Sequence, residues 1–156
     1  MGRTDYVNDP AAPRATRIVP AATAFIQNDD GAVLLISRSD NNLWAMPGGT
    51  QEVGETIART AERETLEETG YQVRVTGLVG VYSDPHHVIQ YDDGEVRQQF
   101  ALTFRAVLES GALTLSDESP DVRWFFKDEL DDIALHQSVR LRIEHGFANA
   151  DTPYLG

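Results

Sequence analysis

The stretch GTQEVGETIARTAERETLEETGY, residues 49–71, decides the fold, because it joins a glycine-led turn to one acidic helix. Residues 55–69 are rich in Ala, Glu and Arg, and Gly70 stands where a helix C-cap is expected. Glu64, Glu67 and Glu68 have i, i+3 and i+4 spacing. The spacing predicts that all three carboxylates project from one face of the helix.

These three glutamates are poorly placed for helix stability. Glu64 and Glu68 form a like-charge pair that costs roughly 0.2–0.5 kcal/mol. Glu67 and Glu68 lie in the last turn, where the helix dipole disfavours each anion by about 0.3–1 kcal/mol. A solvated acidic face is one interpretation of this run. A bound hard cation would compensate the charges, and carboxylate oxygens are the ligands that Mg²⁺ and Mn²⁺ prefer.

The surrounding segments predict strands on both sides of this helix. Residues 18–27 and 32–38 have the pattern of two strands joined by the turn Asn28-Asp29-Asp30-Gly31. Residues 84–95 are polar and are predicted to form a long loop. The remaining predicted elements are strands at 71–83, 96–108 and 121–126, a loop at 111–120 and an amphipathic helix at 134–147. This order fits an α/β fold in which a mixed sheet lies between helices.

The length and composition indicate one domain. The chain has 156 residues, of which 41% are hydrophobic and 24% charged, and this is ordinary for a globular protein. We predict a flexible N-terminal arm at residues 1–15, a single domain at 16–150 and a C-terminal tail at 151–156. The chain contains no cysteine, which excludes disulfides and cysteine-based zinc sites and is compatible with a cytoplasmic location.

The charge and hydropathy restrict the partners. A net charge of −12 disfavours binding to duplex nucleic acid. The same negative charge also disfavours binding of free nucleotides, unless a cation or a local basic patch screens the site. The chain contains no run of about 18 apolar residues, so no membrane span is expected.

The spacing of the acidic segment resembles the Nudix box, the signature of hydrolases that act on a nucleoside diphosphate linked to another moiety. Five residues separate Gly49 from Glu55, and seven more precede Arg63-Glu64. Glu67-Glu68 and then Gly70 follow at the expected intervals. Thr65 departs from the pattern, since the family usually has an aliphatic residue there, and we expect only a small packing cost. The resemblance implies a Nudix-type α/β/α sandwich with a mixed β-sheet between helices.

The resemblance also implies roles for individual residues. Glu64, Glu67 and Glu68, with the backbone carbonyl of Gly49, are expected to hold Mg²⁺, with Mn²⁺ as the alternative. Glu55 and Arg63 are expected to form a supporting salt bridge. The family varies in where it places its general base; Glu118, six residues before Trp124, is our candidate, and Glu95 is a weaker rival.

Several residues outside the box are candidates for substrate contact. Arginine grips phosphate with two donors, and histidine titrates near neutral pH. We predict substrate-binding roles for Arg38, Trp44, His86 and His87. Further candidates are Arg97, Arg105, Tyr82 and Tyr91, whereas Phe100 is expected in the core, and His136 and His145 are expected to be structural or exposed.

The sequence therefore predicts metal-dependent hydrolysis of a diphosphate linkage in a small nucleotide substrate. Pro85, 15 residues after Gly70, resembles a family feature linked to ADP-ribose activity and favours ADP-ribose or a related nucleotide sugar. One alternative is a nucleoside triphosphate pyrophosphatase of the house-cleaning type. Another is a non-catalytic nucleotide-binding module on the same fold. A homodimer is possible, since many members of the family dimerise.

Overall fold

The acidic helix forms where the sequence predicts it. In the computed structural model, which describes residues 2–115 and 120–156, helix α1 spans Ile57–Thr69. The Thr56 hydroxyl caps its start by accepting a hydrogen bond from the Arg59 amide at 3.2 Å. Gly70, with φ of 80°, ends the helix in the left-handed conformation, and its amide donates to the Leu66 carbonyl.

The rest of the described chain forms a second α-helix, a short 3-10 helix and a series of strands. Helix α2 spans Gln137–Ala148, and a 3-10 helix spans Lys127–Asp132. The strands, in chain order, are β1 (Arg3–Val7), β2 (Arg17–Ile18), β3 (Ala21–Ile26), β4 (Val33–Ser37), β5 (Trp44–Ala45), β6 (Gly48–Thr50), β7 (Tyr71–Tyr82), β8 (His87–Tyr91), β9 (Val96–Gln98), β10 (Ala101–Gly111), β11 (Asp121–Phe125) and β12 (Tyr154–Leu155). None of the described helices is long and apolar enough to cross a membrane.

The described strands form a five-stranded mixed sheet and two smaller sheets. The five-stranded sheet has the order β12-β7-β10-β3-β6, in which β10 runs parallel to β3 and antiparallel to β7. The order β11-β4-β5 makes a three-stranded sheet, and β1-β8-β9-β2 makes a four-stranded one. The mixed sheet confirms the sequence prediction.

Strands β3 and β4 are buried on both faces. Ala24 and Leu34 point into one apolar cluster that includes Ala61 of α1. Their neighbours Phe25 and Leu35 point into a second cluster that includes Ile143 of α2. Successive side chains of a strand point to opposite faces, so the two clusters place one helix on each side of these strands. The predicted α/β/α sandwich is therefore confirmed.

The N-terminal segment differs from the prediction. We expected a loose arm over residues 1–15, but β1 pairs antiparallel with β8, with Asp5 opposite Ile89. The prediction of a loop at 84–95 is also wrong, because this segment contains strand β8. Val88 and Ile89 are buried, and Gly94, with φ of 92°, allows the turn that returns the chain as β9. Apolar burial and ladder hydrogen bonds therefore outweigh the polar character of both segments.

Two further elements were not resolved by the sequence pattern. The strand predicted at 96–108 is divided at residues 99 and 100 into β9 and β10, which belong to different sheets. In the predicted C-terminal tail, β12 runs parallel to the end of β7, with Tyr154 opposite Gly80. Tyr154 stacks on Tyr82 with ring centroids 5.2 Å apart.

Candidate functional site

The three glutamates of α1 occupy different environments. Glu64 and Glu68 line a cavity of about 290 Å³, and Glu68 is 7% exposed. The Glu67 side chain is 58% exposed and reaches Arg63 at 3.3 Å, outside the described lining of the cavity. The structure thus separates the predicted triad into two inward carboxylates and one outward carboxylate.

The two inward carboxylates converge on the glycines of β6. Glu68 Oε1 accepts a hydrogen bond from the Gly48 amide at 2.9 Å. A Cβ on Gly49 would lie 2.5 Å from the carboxylate carbon of Glu64, so only glycine permits this approach. The Glu64 and Glu68 carboxylates thus both lie beside the glycine turn, and carboxylate oxygens suit a hard divalent cation such as Mg²⁺. The residues present fit the predicted metal.

Arg63 connects the loop to the helix. Its guanidinium donates to both oxygens of Glu55, at 2.9 and 2.8 Å, and to Glu64 Oε1 at 2.9 Å. A further bond at 3.2 Å goes to the Thr50 carbonyl, one residue after Gly49. Glu55 raises the pKa of Arg63, so the guanidinium stays charged. Arg63 therefore fixes the orientation of Glu64 and the position of the glycine turn together.

The Glu55–Arg63 contact predicts a pH-dependent contribution to stability. Chiefly through its bond with Arg63, Glu55 has its pKa lowered from 4.5 to about 2. A lowered carboxylate pKa means that the contribution is fully present above pH 4.5 and is lost as the pH falls towards 2. We expect Glu55→Gln to lower the melting temperature at pH 7 and to lower it much less at pH 3. Thermal denaturation of both proteins at the two pH values measures this, and an unchanged difference would contradict it.

Thr65, the departure from the family pattern, is buried within α1. It has no exposed surface, and its hydroxyl donates to the Ala61 carbonyl at 2.7 Å. Leu66 does not replace it in the core, since Leu66 is 42% exposed. The helix backbone thus supplies the hydrogen bond that a buried hydroxyl requires.

The cavity beside Glu64 and Glu68 brings together charged side chains of both signs. Its described wall holds three acidic side chains, the third being Asp5. The same wall holds four guanidinium groups, which come from Arg3, Arg38, Arg97 and Arg142. These guanidinium groups supply hydrogen-bond donors for an anionic ligand in a chain whose overall charge is −12.

Two of the four predicted substrate-binding residues line this cavity. Arg38 donates to both oxygens of Asp40, at 2.9 and 2.7 Å, and this contact raises its pKa. Trp44 packs edge-on against Phe125, with ring centroids 4.9 Å apart, and shows part of its surface to the cavity. Tyr91 and Arg97 also line the cavity, and the Arg97 guanidinium lies 4.5 Å from the Tyr91 ring centroid.

The two adjacent histidines are separated. His86 is exposed and lies 3.2 Å from Asp84. His87 is buried and stacks on His136, with ring centroids 5.6 Å apart. Neither His86 nor His87 belongs to the described lining of the main cavity.

Two of the further candidates also lie away from the main cavity. The Arg105 guanidinium donates to the Gly146 carbonyl at 2.7 Å. The Tyr82 hydroxyl lies 2.8 Å from His145 Nδ1. Neither Arg105 nor Tyr82 is part of the cavity wall as described. Their contacts give both side chains a packing role between the sheet and α2.

Sequence reasoning missed the residues that β1 and α2 contribute. Arg3 and Asp5 enter the cavity from β1, and Arg142 enters it from α2. His136, predicted to be structural or exposed, caps α2 and also lines the cavity. The predicted base Glu118 lies in residues 116–119, outside the described chain.

Asp5, His87 and His136 form a second cluster of potential metal ligands. Their ligand atoms lie within 4.8 Å of one another, and each Nε2 is 3.7 Å from Asp5 Oδ2. Arg3 already donates to the same oxygen at 2.8 Å. Burial alone would raise the pKa of Asp5, but the neighbouring His87 and Arg3 outweigh it and lower that pKa well below its usual range. The charges here disfavour a cation.

Comparison with known proteins identifies the family. The NUDIX domain model matches residues 17–144. A MutT-like protein of Streptomyces ambofaciens is 36% identical over 126 residues, which cover 80% of this chain and 75% of that protein. An ADP-ribose pyrophosphatase of Methanocaldococcus jannaschii is 32% identical over 70% of this chain and 64% of its own length. The chain therefore belongs to the Nudix family of hydrolases, enzymes that act on pyrophosphate bonds.

The solved structures show the same fold. A NUDIX hydrolase from Nitrosomonas europaea superposes with a TM-score of 0.73 at 26% identity, over 92% of this chain and 78% of that one. A UDP-X diphosphatase superposes with a TM-score of 0.72 at 24% identity, over 94% of this chain and 70% of that one.

Proposed function

We propose that this protein is a divalent-metal-dependent enzyme that hydrolyses the diphosphate linkage of a nucleoside diphosphate joined to another group. The observation that carries the proposal is the convergence of Glu64, Glu68 and the Gly49 backbone at the wall of an arginine-lined cavity. Nudix hydrolases generally use divalent metal ions, and Mg²⁺ is the ion that this oxygen-rich set favours. Mn²⁺ is the alternative.

Each side chain has a defined task in this proposal. Glu64, Glu68 and the Gly49 carbonyl would hold the ion, which when bound would neutralise charge on the diphosphate and polarise phosphorus for attack by water. Glu67, which the resemblance predicts as a third ligand, lies on the same acidic face of α1 but is exposed beside Arg63. Arg63 holds Glu64 in place, and Glu55 holds Arg63. Glu118 remains our candidate for the general base.

The cavity supports a substrate with several negative charges. Arg38, Arg97 and Arg142 supply guanidinium donors, and guanidinium pairs well with phosphate oxygens. Trp44 and Tyr91 supply aromatic surface for a base or sugar. We retain ADP-ribose or a related nucleotide sugar as the leading substrate class, supported by the relative named ADP-ribose pyrophosphatase. Pro85 adds little, because it lies in an exposed turn.

A nucleoside triphosphate is the second candidate substrate. Relatives named nucleoside triphosphatase, from Enterobacter and Salmonella, are 29% and 33% identical to this chain. The four guanidinium groups suit a triphosphate as well as a diphosphate sugar. The non-catalytic module is disfavoured, because both inward glutamates are present and converge on the glycine turn.

A substrate panel tests the proposal. The protein is incubated with Mg²⁺ or Mn²⁺ and with ADP-ribose, UDP-sugars, nucleoside triphosphates or dinucleoside polyphosphates, and each product is identified by ion-exchange chromatography. We expect turnover of at least one class, with nucleoside monophosphate among the products, and none in EDTA. Binding of these nucleotides without turnover of any of them would support the non-catalytic module instead.

A further inference from the structure

Arg142 is a buried cation whose charge the described chain does not neutralise. The residue is 5% exposed, and burial lowers the pKa of its guanidinium to about 10, so it remains charged at neutral pH. Its Nε finds no hydrogen-bond partner, and the described residues offer it no ion pair. Its guanidinium carbon lies 5.0 Å from the Tyr82 ring centroid. An unpaired buried charge is unfavourable unless another group compensates it.

The position of Arg142 indicates where the compensating group would come from. Arg142 lines the same cavity as Glu64 and Glu68. The other three arginines of the wall each have a carboxylate within 2.8 Å: Arg3 has Asp5, Arg38 has Asp40, and Arg97 has Glu95. Arg97 Nε is also buried without a partner. Two arginines that each have a buried Nε without a partner therefore belong to the wall of this cavity, and Arg142 also lines a second, smaller cavity.

We infer that Arg142 is the centre of a second anion subsite, which binds a phosphate group of the substrate apart from the diphosphate at Glu64 and Glu68. The inference rests on the proposed function, because it takes the cavity to be the substrate cavity. Guanidinium donors and phosphate oxygens form strong charge-assisted bonds. The substrate class is therefore a nucleotide that carries a phosphate group in addition to the linkage that is cut.

The neighbouring groups favour an anion over a metal ion at this end of the cavity. Asp5, His87 and His136 could supply three ligand atoms. However, Arg3 donates a hydrogen bond to Asp5, and Arg3 and Arg142 both bring positive charge to this cluster. The guanidinium groups of Arg3 and Arg142 would repel a divalent cation, whereas they would attract a phosphate.

Inorganic phosphate in EDTA tests the subsite without any turnover. We expect millimolar phosphate to raise the melting temperature of the full chain, measured against chloride at equal ionic strength. Arg142→Met keeps the apolar stem and removes the charge, so the phosphate-induced rise should be lost. Arg105→Met is the matched control, since Arg105 also packs over an aromatic ring but lies outside this cavity, and it should keep the rise. An equal rise in Arg142→Met, or none in the wild type, would overturn the inference.

Kinetics with paired substrates give the second readout. ADP-ribose and its 2′-phosphate differ only in one phosphate group. We expect the wild type to show a KM about tenfold lower for the phosphorylated member, and Arg142→Met to abolish that preference. An equal loss on both members would mean that Arg142 serves the cleaved diphosphate, which contradicts a second subsite. The phosphate-binding result decides the inference even if neither compound is hydrolysed.

Discussion

Glu68→Gln is expected to lower kcat by at least ~100-fold on whichever substrate the panel identifies, because it removes a negative charge from the proposed metal site. Glutamine keeps an oxygen at the position that accepts from the Gly48 amide at 2.9 Å. The turn of β6 is therefore expected to survive, and the melting temperature should change by no more than ~3 °C. Steady-state kinetics over a range of Mg²⁺ concentrations, together with thermal denaturation, measure the two effects.

Glu144→Gln provides the matched control for the loss of one negative charge. Glu144 is an exposed residue of α2, so its substitution should leave both kcat and stability unchanged. If Glu68→Gln retained wild-type kcat, Glu68 would have no part in the reaction. If it instead unfolded the protein, the role of Glu68 would be to hold the glycine turn.

The central fold could be predicted from the sequence because its signals are local. The α1 helix carries a threonine cap at Thr56 and a left-handed glycine at Gly70, and both lie where the pattern indicates. Strands β3 and β4 are buried on both faces, so they appear as apolar runs. Signals of this kind depend on the residues within one element and need no knowledge of its neighbours.

Strands β1 and β8 could not be predicted from the sequence, because each is stabilised by the other. Both are short, and Asp5 of β1 and His87 of β8 are polar residues that become buried or half-buried only when the strands pair. Such pairing joins residues that are 80 to 88 positions apart. The signal available was the Asp93-Gly94 dipeptide, which is typical of a hairpin turn between two short strands.

The candidate site likewise combines residues that the sequence could predict with residues that it could not. The glutamates and Gly49 lie within one contiguous segment, so their spacing could be interpreted directly. Arg3 and Arg142 come from opposite ends of the chain, and the cavity that unites them exists only in the folded state. No periodicity distinguishes Arg142 from Arg140, the other arginine of α2, whereas its burial does.

Gly49→Ala is the second substitution with a large expected effect, and it tests geometry without removing any functional group. A Cβ at this position would lie 2.5 Å from the Glu64 carboxylate carbon and from Oε1. That carboxylate is the end of a flexible side chain, so it can move while the backbone remains in place. We expect kcat/KM to fall by at least ~10-fold and the Mg²⁺ concentration for half-maximal rate to rise, with little change in melting temperature.

Two other glycine substitutions separate this effect from the general cost of adding a methyl group. Gly77→Ala has no atom within 4 Å of the new Cβ, so activity and stability should both be unchanged. In Gly48→Ala the new Cβ would meet the backbone of Ala22 and Thr23 on β3, which cannot move aside, so the fold should be destabilised by about 1–3 kcal/mol. Full activity in Gly49→Ala at wild-type Mg²⁺ dependence would show that the close approach of Gly49 and Glu64 is not needed. If Gly49→Ala alone loses activity and keeps its fold, the site depends on the position of the Glu64 carboxylate. Every charge of the acidic helix is still present in that variant, so a loss of charge could not explain the result.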